Sequence, residues 1–318
     1  MGFTFSSADD NFHELSEDIW ETETCWFSFN VPQLKMGCWL YAWIRPNLKN
    51  CAGGVFLWDD TAVNPWELPY FWYQHSQPLP QVRDLRNFQF PQNYSVTQLE
   101  PLKRYRLAYR DRDYLSIDVE WTALCEPHPF LRGEPPFRQS SHFDQPGHVV
   151  GELVLAGNRV TIDSYSMRDR SWGVRPDHKS VRVGYAFGAC ASTSFCCFVQ
   201  TGRQSSDGTE PINHGFIWRD GIRSQILSGR RYVERDTRQN WITHMRIEAL
   251  DDQGRVLSAN GVVQSRMMFP NARAVCCNSH VRWDIDGIEA YGEDQDVWRF
   301  DQWRDAIRER RNAPEHSL

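Results

Sequence analysis

The run Tyr165-Ser166-Met167-Arg168-Asp169-Arg170-Ser171-Trp172-Gly173-Val174-Arg175-Pro176-Asp177-His178 concentrates residue types that move protons and hold polar groups. Asp169 lies between two arginines, and guanidinium groups turned toward it would hold it ionised, since a nearby opposite charge favours the charged form. If the run is a regular strand, Arg168, Arg170 and Trp172 face one way and Asp169 the other, so acid and bases serve different sides of a wall. The functional reading makes Asp169 a general acid or base, with Tyr165 as a secondary candidate. The plainer reading is an ion-pair network that fixes a strand end or the joint between two domains.

Two further sets of residues could join that chemistry. Glu21 and Glu23 precede the strand-like run Trp26-Phe27-Ser28-Phe29 and read equally as an acid–base pair or as a solvated edge, the commoner fate of glutamate. His214, ahead of Phe216-Ile217-Trp218, is an acid, a base or a turn residue. Trp39, Tyr41 and Trp43, together with Trp58 and Tyr70-Phe71-Trp72-Tyr73, point to an aromatic-lined cavity for an apolar ligand or for a cation held over a ring face. Ordinary core packing is the alternative for any one of these rings.

Other chemistries lack local support. The chain has no Gly-x-x-x-x-Gly-Lys-Ser/Thr, Gly-x-Gly-x-x-Gly, His-Glu-x-x-His or Gly-x-Ser-x-Gly run. The ten histidines are scattered, so no metal site is expected from spacing, and no cofactor is expected. Nine cysteines make an odd count with two vicinal pairs and no Cys-x-x-Cys, which suits reduced thiols in a cytoplasmic protein better than a disulfide framework. A net charge of −6 without a basic stripe argues against nucleic acid as a partner. The opening residues lack the basic and apolar regions of a signal peptide, and no stretch is long and apolar enough for a spanning helix.

The elements that must position these groups read as strands. Cys38, Leu40, Ala42 and Ile44 share one face of a period-2 run, and Trp39, Tyr41 and Trp43 the other. Leu115, Ile117, Val119 and Trp121 alternate with polar residues, as do Tyr105, Leu107 and Tyr109. Turns are expected at Ala156-Gly157-Asn158, Asp220-Gly221 and Asp251 to Gly254. Residues 183–199 read as two buried strands. Phe300, Trp303 and Ile307 mark one helix, expected to cap a barrel or sheet. The Pro-, Gly- and His-rich residues 122–148 read as a linker or long loop. At 318 residues, with 14 Trp, 18 Phe and 11 Tyr, the chain is long enough for two aromatic-rich domains, 1–145 and 146–318.

The stretch GHVVGELVLAGNRVTIDSYSMRDRSWGVR resembles the second-domain signature of the tandem lipocalin-like family that includes carotenoid hydratases (hydroxyneurosporene synthase-like) and lipocalin-type Diels-Alderases. That signature reads Arg-Asp-His-Ser-Trp-Gly after a glycine-rich hairpin. Asp18 to Phe29 is similar to the opening of the family's first domain. The resemblance implies an all-β fold of two lipocalin-like antiparallel β-barrels in tandem, with a hydrophobic ligand site in or between them. It also implies chemistry without metal or nucleotide: hydration, dehydration, isomerisation or cyclisation of an isoprenoid- or polyketide-like molecule. Asp169 would be the acid or base, Trp172 and the other aromatics the wall, and Arg168, Arg170 and Arg175 the polar anchors. Arginine stands at 170 where the signature has histidine; it does not deprotonate in proteins but can stabilise an oxyanion. A non-catalytic lipophile carrier is the competing expectation, an aromatic interaction module a weaker one, and a homodimer is compatible with either.

Overall fold

A computed structural model of the chain describes residues 5–81, 84–90, 93–130, 139–176, 182–200, 208–271 and 273–312. The described chain is nearly all strand. The first set is β1 (Glu21–Val31), β2 (Met36–Arg45), β3 (Asn50–Trp58), β4 (Tyr70–Pro78), β5 (Asn87–Gln89), β6 (Ser95–Glu100), β7 (Arg104–Asp111), β8 (Leu115–Ala123), β9 (His128–Phe130), β10 (Ser140–Leu155) and β11 (Asn158–Val174). The second is β12 (Val183–Ala189), β13 (Thr193–Gln200), β14 (Thr209–Arg219), β15 (Ile222–Arg235), β16 (Ile242–Asp251), β17 (Val256–Asn271), β18 (Ala274–Ile285) and β19 (Ile288–Arg299), followed by α1 (Phe300–Asn312).

The second set closes into an eight-stranded antiparallel barrel in sequence order, with β12 pairing back onto β19. The expected hairpins occur. Ala156-Gly157 joins β10 to β11 and Asp220-Gly221 joins β14 to β15, each with both residues at positive φ, as a tight two-residue reversal demands. The first set forms an eleven-stranded sheet, ordered β4-β3-β2-β1-β11-β10-β8-β7-β6-β5 with β9 on β10. It curls but does not close. The three-residue β5 offers too short an edge, and β4 meets β7 through side chains instead, where the Tyr70 hydroxyl bonds to Tyr109 and to Asp111. The expected tandem of two antiparallel β-barrels with a C-terminal helix is thus present, as one closed barrel and one curled half-barrel.

Two expectations change. Residues 122–148 are not a loop throughout: 122–123 end β8, β9 lies within the stretch, and β10 begins at Ser140. Pro146 and Gly147 mislead because they sit within a strand ladder, both inside β10. Position 145/146, the expected domain division, falls inside β10, and sheet membership changes between Val174 and Val183.

Alternation sorts the side chains into layers. Cys38, Leu40, Ala42 and Ile44 pack inside the half-barrel with Leu107, Ile117, Val119 and Trp121. The opposite face of the same sheet packs Trp26, Trp39, Phe56, Trp58 and Met167 against Tyr185, Phe187, Phe198, Phe216 and Phe269 of the barrel. This aromatic seam joins the two sheets. The barrel interior is filled by Phe195, Ile217, Ile247, Val281 and Trp283 and by a buried ion network. In that network Arg231 bonds Glu210 and Asp294, while Arg182 and Arg235 bond Asp296. α1 lies on the barrel rim, with Trp303 edge-on to Trp298 and Arg310 bonding Asn240. No helix among the described residues is long and apolar enough to cross a membrane.

Candidate active site

The antiparallel register places two acids side by side. Asp144 on β10 and Asp169 on β11 are direct cross-strand partners, so their side chains leave the sheet on the same face. Trp26 on β1 is the next residue in that row, and Tyr41 on β2 the one after. His142, two residues before Asp144, and Ser171, two after Asp169, form the adjacent row. All of these face the barrel.

The barrel completes the cluster. The Tyr185 hydroxyl donates to Asp144 Oδ1 at 2.9 Å, and the Cys196 thiol approaches Oδ2 at 3.5 Å. His142 Nε2 lies 3.0 Å from Asp144 Oδ2, and its Nδ1 is 2.7 Å from Ser171 Oγ. The hydrogen bond between Nδ1 and Ser171 orients the ring and turns Nε2 toward Asp144. Phe130 and Phe198 pack around His142 at 5.6 Å from ring to ring.

Asp169 differs from its neighbour. No donor among the described residues bonds to its carboxyl, and burial pushes its pKa up to about 6, with Asp144 adding to the rise and His142, Arg175 and Arg170 opposing it. The sequence expectation of an acid held ionised by flanking arginines is therefore corrected. Alternation sends Arg168 and Arg170 through to the other face of β11, where each has its own acid. Burial also pushes the Tyr185 and Cys196 groups well above their ordinary values, so both stay protonated donors. His128, beside Phe130 and Arg223, is pushed down to about 3 by burial and by neighbouring positive groups, and is neutral.

Ligand atoms of His142, Asp144 and Asp169 lie within 4.8 Å of one another, a spacing that a divalent cation could bridge. The fit is poor on chemical grounds. Asp144 already accepts from Tyr185 and Cys196, and His142 Nδ1 is bonded to Ser171, so a cation at Asp144 would have to displace donors.

Several sequence candidates meet here and others do not. Tyr41 lies in the Asp169 row, and Trp39 and Trp58 stand in the same seam, 5.9 Å apart. His214 lies 5.8 Å from the Phe130 ring, at the His142 end of the site. Arg175 is exposed, close enough to oppose the Asp169 shift. Trp43 sits under the Arg45 guanidinium at 4.6 Å, in the row of Thr24 and Ser171. Tyr165 stacks on His148 at 4.6 Å, four residues along β11 from Asp169.

The remaining candidates serve the half-barrel. Arg168 bonds Asp10 at 2.8 Å and Gln145 at 2.8 Å among the rings of Tyr105 and Trp121. Arg170 bonds Glu23 at 2.8 Å, and the Asp10 and Asn11 carbonyls. Trp172 stacks face to face on His13 at 3.9 Å. Glu21 accepts from the Ser16 backbone and hydroxyl, and is buried rather than at a solvated edge. Asp177 and His178 lie outside the described residues.

Sequence reasoning misses His142, Asp144, Tyr185 and Cys196. Two of them stand in a stretch that reads as a loop, and the alternation His142-Phe143-Asp144-Gln145, ending at Pro146-Gly147, is the available signal. Tyr185 and Cys196 sit in strands that read only as buried.

The whole arrangement, a half-barrel and a closed barrel joined across an aromatic seam, is the all-β tandem fold that the signature implies. Solved structures share it at low identity. An AttH-designated protein from Nitrosomonas europaea superposes with a TM-score of 0.60 at 12% identity, over 88% of this chain and 92% of that one. Kievitone hydratase from Nectria haematococca gives 0.51 at 10%, over 89% and 90%, and CghA 0.54 at 10%, over 90% and 89%. No curated protein matches the sequence. The chain belongs to the family described as domain of unknown function (DUF7064), which matches residues 6–294.

Proposed function

We propose that the protein is a cofactor-independent enzyme that binds a lipophilic, isoprenoid- or polyketide-like molecule in the seam between its sheets. There it adds or removes water, or isomerises or cyclises the molecule, by proton transfer. The observation that carries this reading is the Asp144–Asp169 pair, with His142 beside it and Trp26 and Tyr41 continuing its row. An acid with a pKa near 6 carries enough of both protonation states to donate or accept at neutral pH. In a hydration, Asp169 gives its proton to an alkene carbon, and the His142–Asp144 pair takes one from the water whose oxygen adds. The ring faces of Trp26 and Tyr41 temper the carbocation between those steps. Elimination runs the same transfers in reverse.

The likeness to kievitone hydratase supports the hydration branch of this reaction class. The acid pair faces the seam and not the barrel interior, which supports the seam as the ligand site. The test begins with native mass spectrometry of the purified protein for a co-purified lipophile, followed by turnover of that compound by wild type and Asp169→Asn. Retained binding with lost turnover supports the proposal. Retained binding with no turnover even in wild type identifies a carrier.

A further inference from the structure

A second group of buried polar side chains faces the same seam. Glu293 points out of the barrel wall, and its Oε2 accepts from Trp39 Nε1 of the facing sheet at 2.6 Å. Ser28 and Asn278 approach the same carboxyl, and no cation contributes to its titration. Burial pushes it up to about 8, so it is largely uncharged at neutral pH. His280 on β18 is its direct cross-strand partner. That ring is wholly buried and neither nitrogen completes a hydrogen bond, although the Lys35 carbonyl approaches it. Burial pushes it down to about 4, hence it too is neutral. Both ends of the buried Asn278 amide also lack a completed bond.

Native interiors leave few polar groups unsatisfied, and each such group calls for a partner. Here two, His280 and Asn278, lie beside the buried Glu293 carboxyl on the face that carries Trp39, Phe269, Met267 and Phe187. A neutral acid, a neutral imidazole and an amide offer no compensation to an ion but hydrogen-bond an uncharged oxygen well. The rings of Trp26 and Trp39, 5.8 Å apart and edge to face, connect this group to the acid pair: Trp26 is the partner of Asp169, and Trp39 is bonded to Glu293.

We propose that Glu293, His280 and Asn278 form a second polar subsite that hydrogen-bonds an uncharged hydroxyl or carbonyl oxygen of the ligand, while its reacting carbon lies beside Asp169. The ligand class is then an oxygenated lipophile rather than a plain hydrocarbon. The inference rests on the seam being the ligand site.

The probes are 2-naphthol and naphthalene, titrated against tryptophan fluorescence of the full chain. Wild type is expected to bind 2-naphthol about tenfold more tightly, the worth of one hydrogen bond made in a dry site. Glu293→Leu combined with His280→Leu brings the two affinities together, whereas Asp169→Asn leaves the preference in place. In the unmodified protein, 2-naphthol but not naphthalene shifts the infrared band of the neutral carboxyl, a readout that does not depend on the double variant folding. Equal affinities in wild type, an unmoved carboxyl band, or a preference that survives in a folded double variant overturns the subsite alone. Failure of wild type to bind either probe overturns the seam reading together with it.

Discussion

Replacing Asp169 by asparagine separates catalysis from architecture, because the two readings predict opposite signs for stability. The folded-state pKa of about 6 stands against an ordinary value of 3.8. A difference of about 2 units is worth at most about 3 kcal/mol. The folded value lies above the unfolded one, so the stability associated with this acid is whole below about pH 4 and is lost as pH rises through about 6. Ionised Asp169 therefore costs the native state roughly 1–3 kcal/mol near pH 7.5, allowing for its partial exposure. Asparagine has nearly the same shape, no charge, and no hydrogen bond to break at this position among the described residues. We expect Asp169→Asn to be more stable than wild type by about 1–3 kcal/mol near pH 7.5 and indistinguishable from it near pH 4. Turnover should fall by about 10²–10⁴, the usual worth of a general acid or base. Denaturant unfolding at the two pH values, paired with the turnover assay, measures both. Destabilisation by about 1 kcal/mol or more near pH 7.5 would return Asp169 to a structural ion network, and stabilisation with full turnover would remove it from the chemistry.

Three further outcomes follow from the geometry. Tyr185→Phe removes the 2.9 Å donor to Asp144 and should lower turnover about tenfold while changing stability by about 1 kcal/mol or less, read by kinetics and thermal unfolding. Arg231→Met leaves the buried carboxyl of Asp294 without its cation and Glu210 with Arg182 alone, at a cost of about 3–5 kcal/mol near neutral pH. Asp294, already at about 6 with Arg231 in place, rises further without it, so the deficit shrinks as pH falls toward about 5; a deficit that grows there would contradict the network. Gly147→Ala drives a Cβ into the Trp121 ring and should cost about 1–3 kcal/mol in denaturant unfolding with the seam chemistry intact.

Much of the fold is legible in the sequence because alternation is a local property. Leu115, Ile117, Val119 and Trp121 read as one buried face and are one. Cys38 to Ile44 shows two apolar faces for a physical reason: one lines the half-barrel and the other the seam. The same period-2 rule, applied to residues 168–170 alone, puts Asp169 on the opposite face from Arg168 and Arg170. It cannot say that Asp144 is the partner of Asp169, because pairing between β10 and β11 is a matter of register. Nor can composition reveal that Pro146 and Gly147 lie within a strand.

Strand content, hairpin turns, the terminal helix and the tandem lipocalin-like resemblance are properties of the sequence by itself. Period-2 patterning, turn residues with positive φ and a short motif all act over a few residues. Whether each sheet closes, which arginines meet which acids, and which acid has no donor among the described residues are decided only in three dimensions. Closure depends on the lengths of edge strands that meet far apart in the chain, and the Asp169 pKa depends on a barrel that packs over it from beyond residue 183. The site is therefore a product of assembly: β10 and β11 supply the carboxyls, and the barrel supplies Tyr185 and the burial that moves a proton to where chemistry can use it.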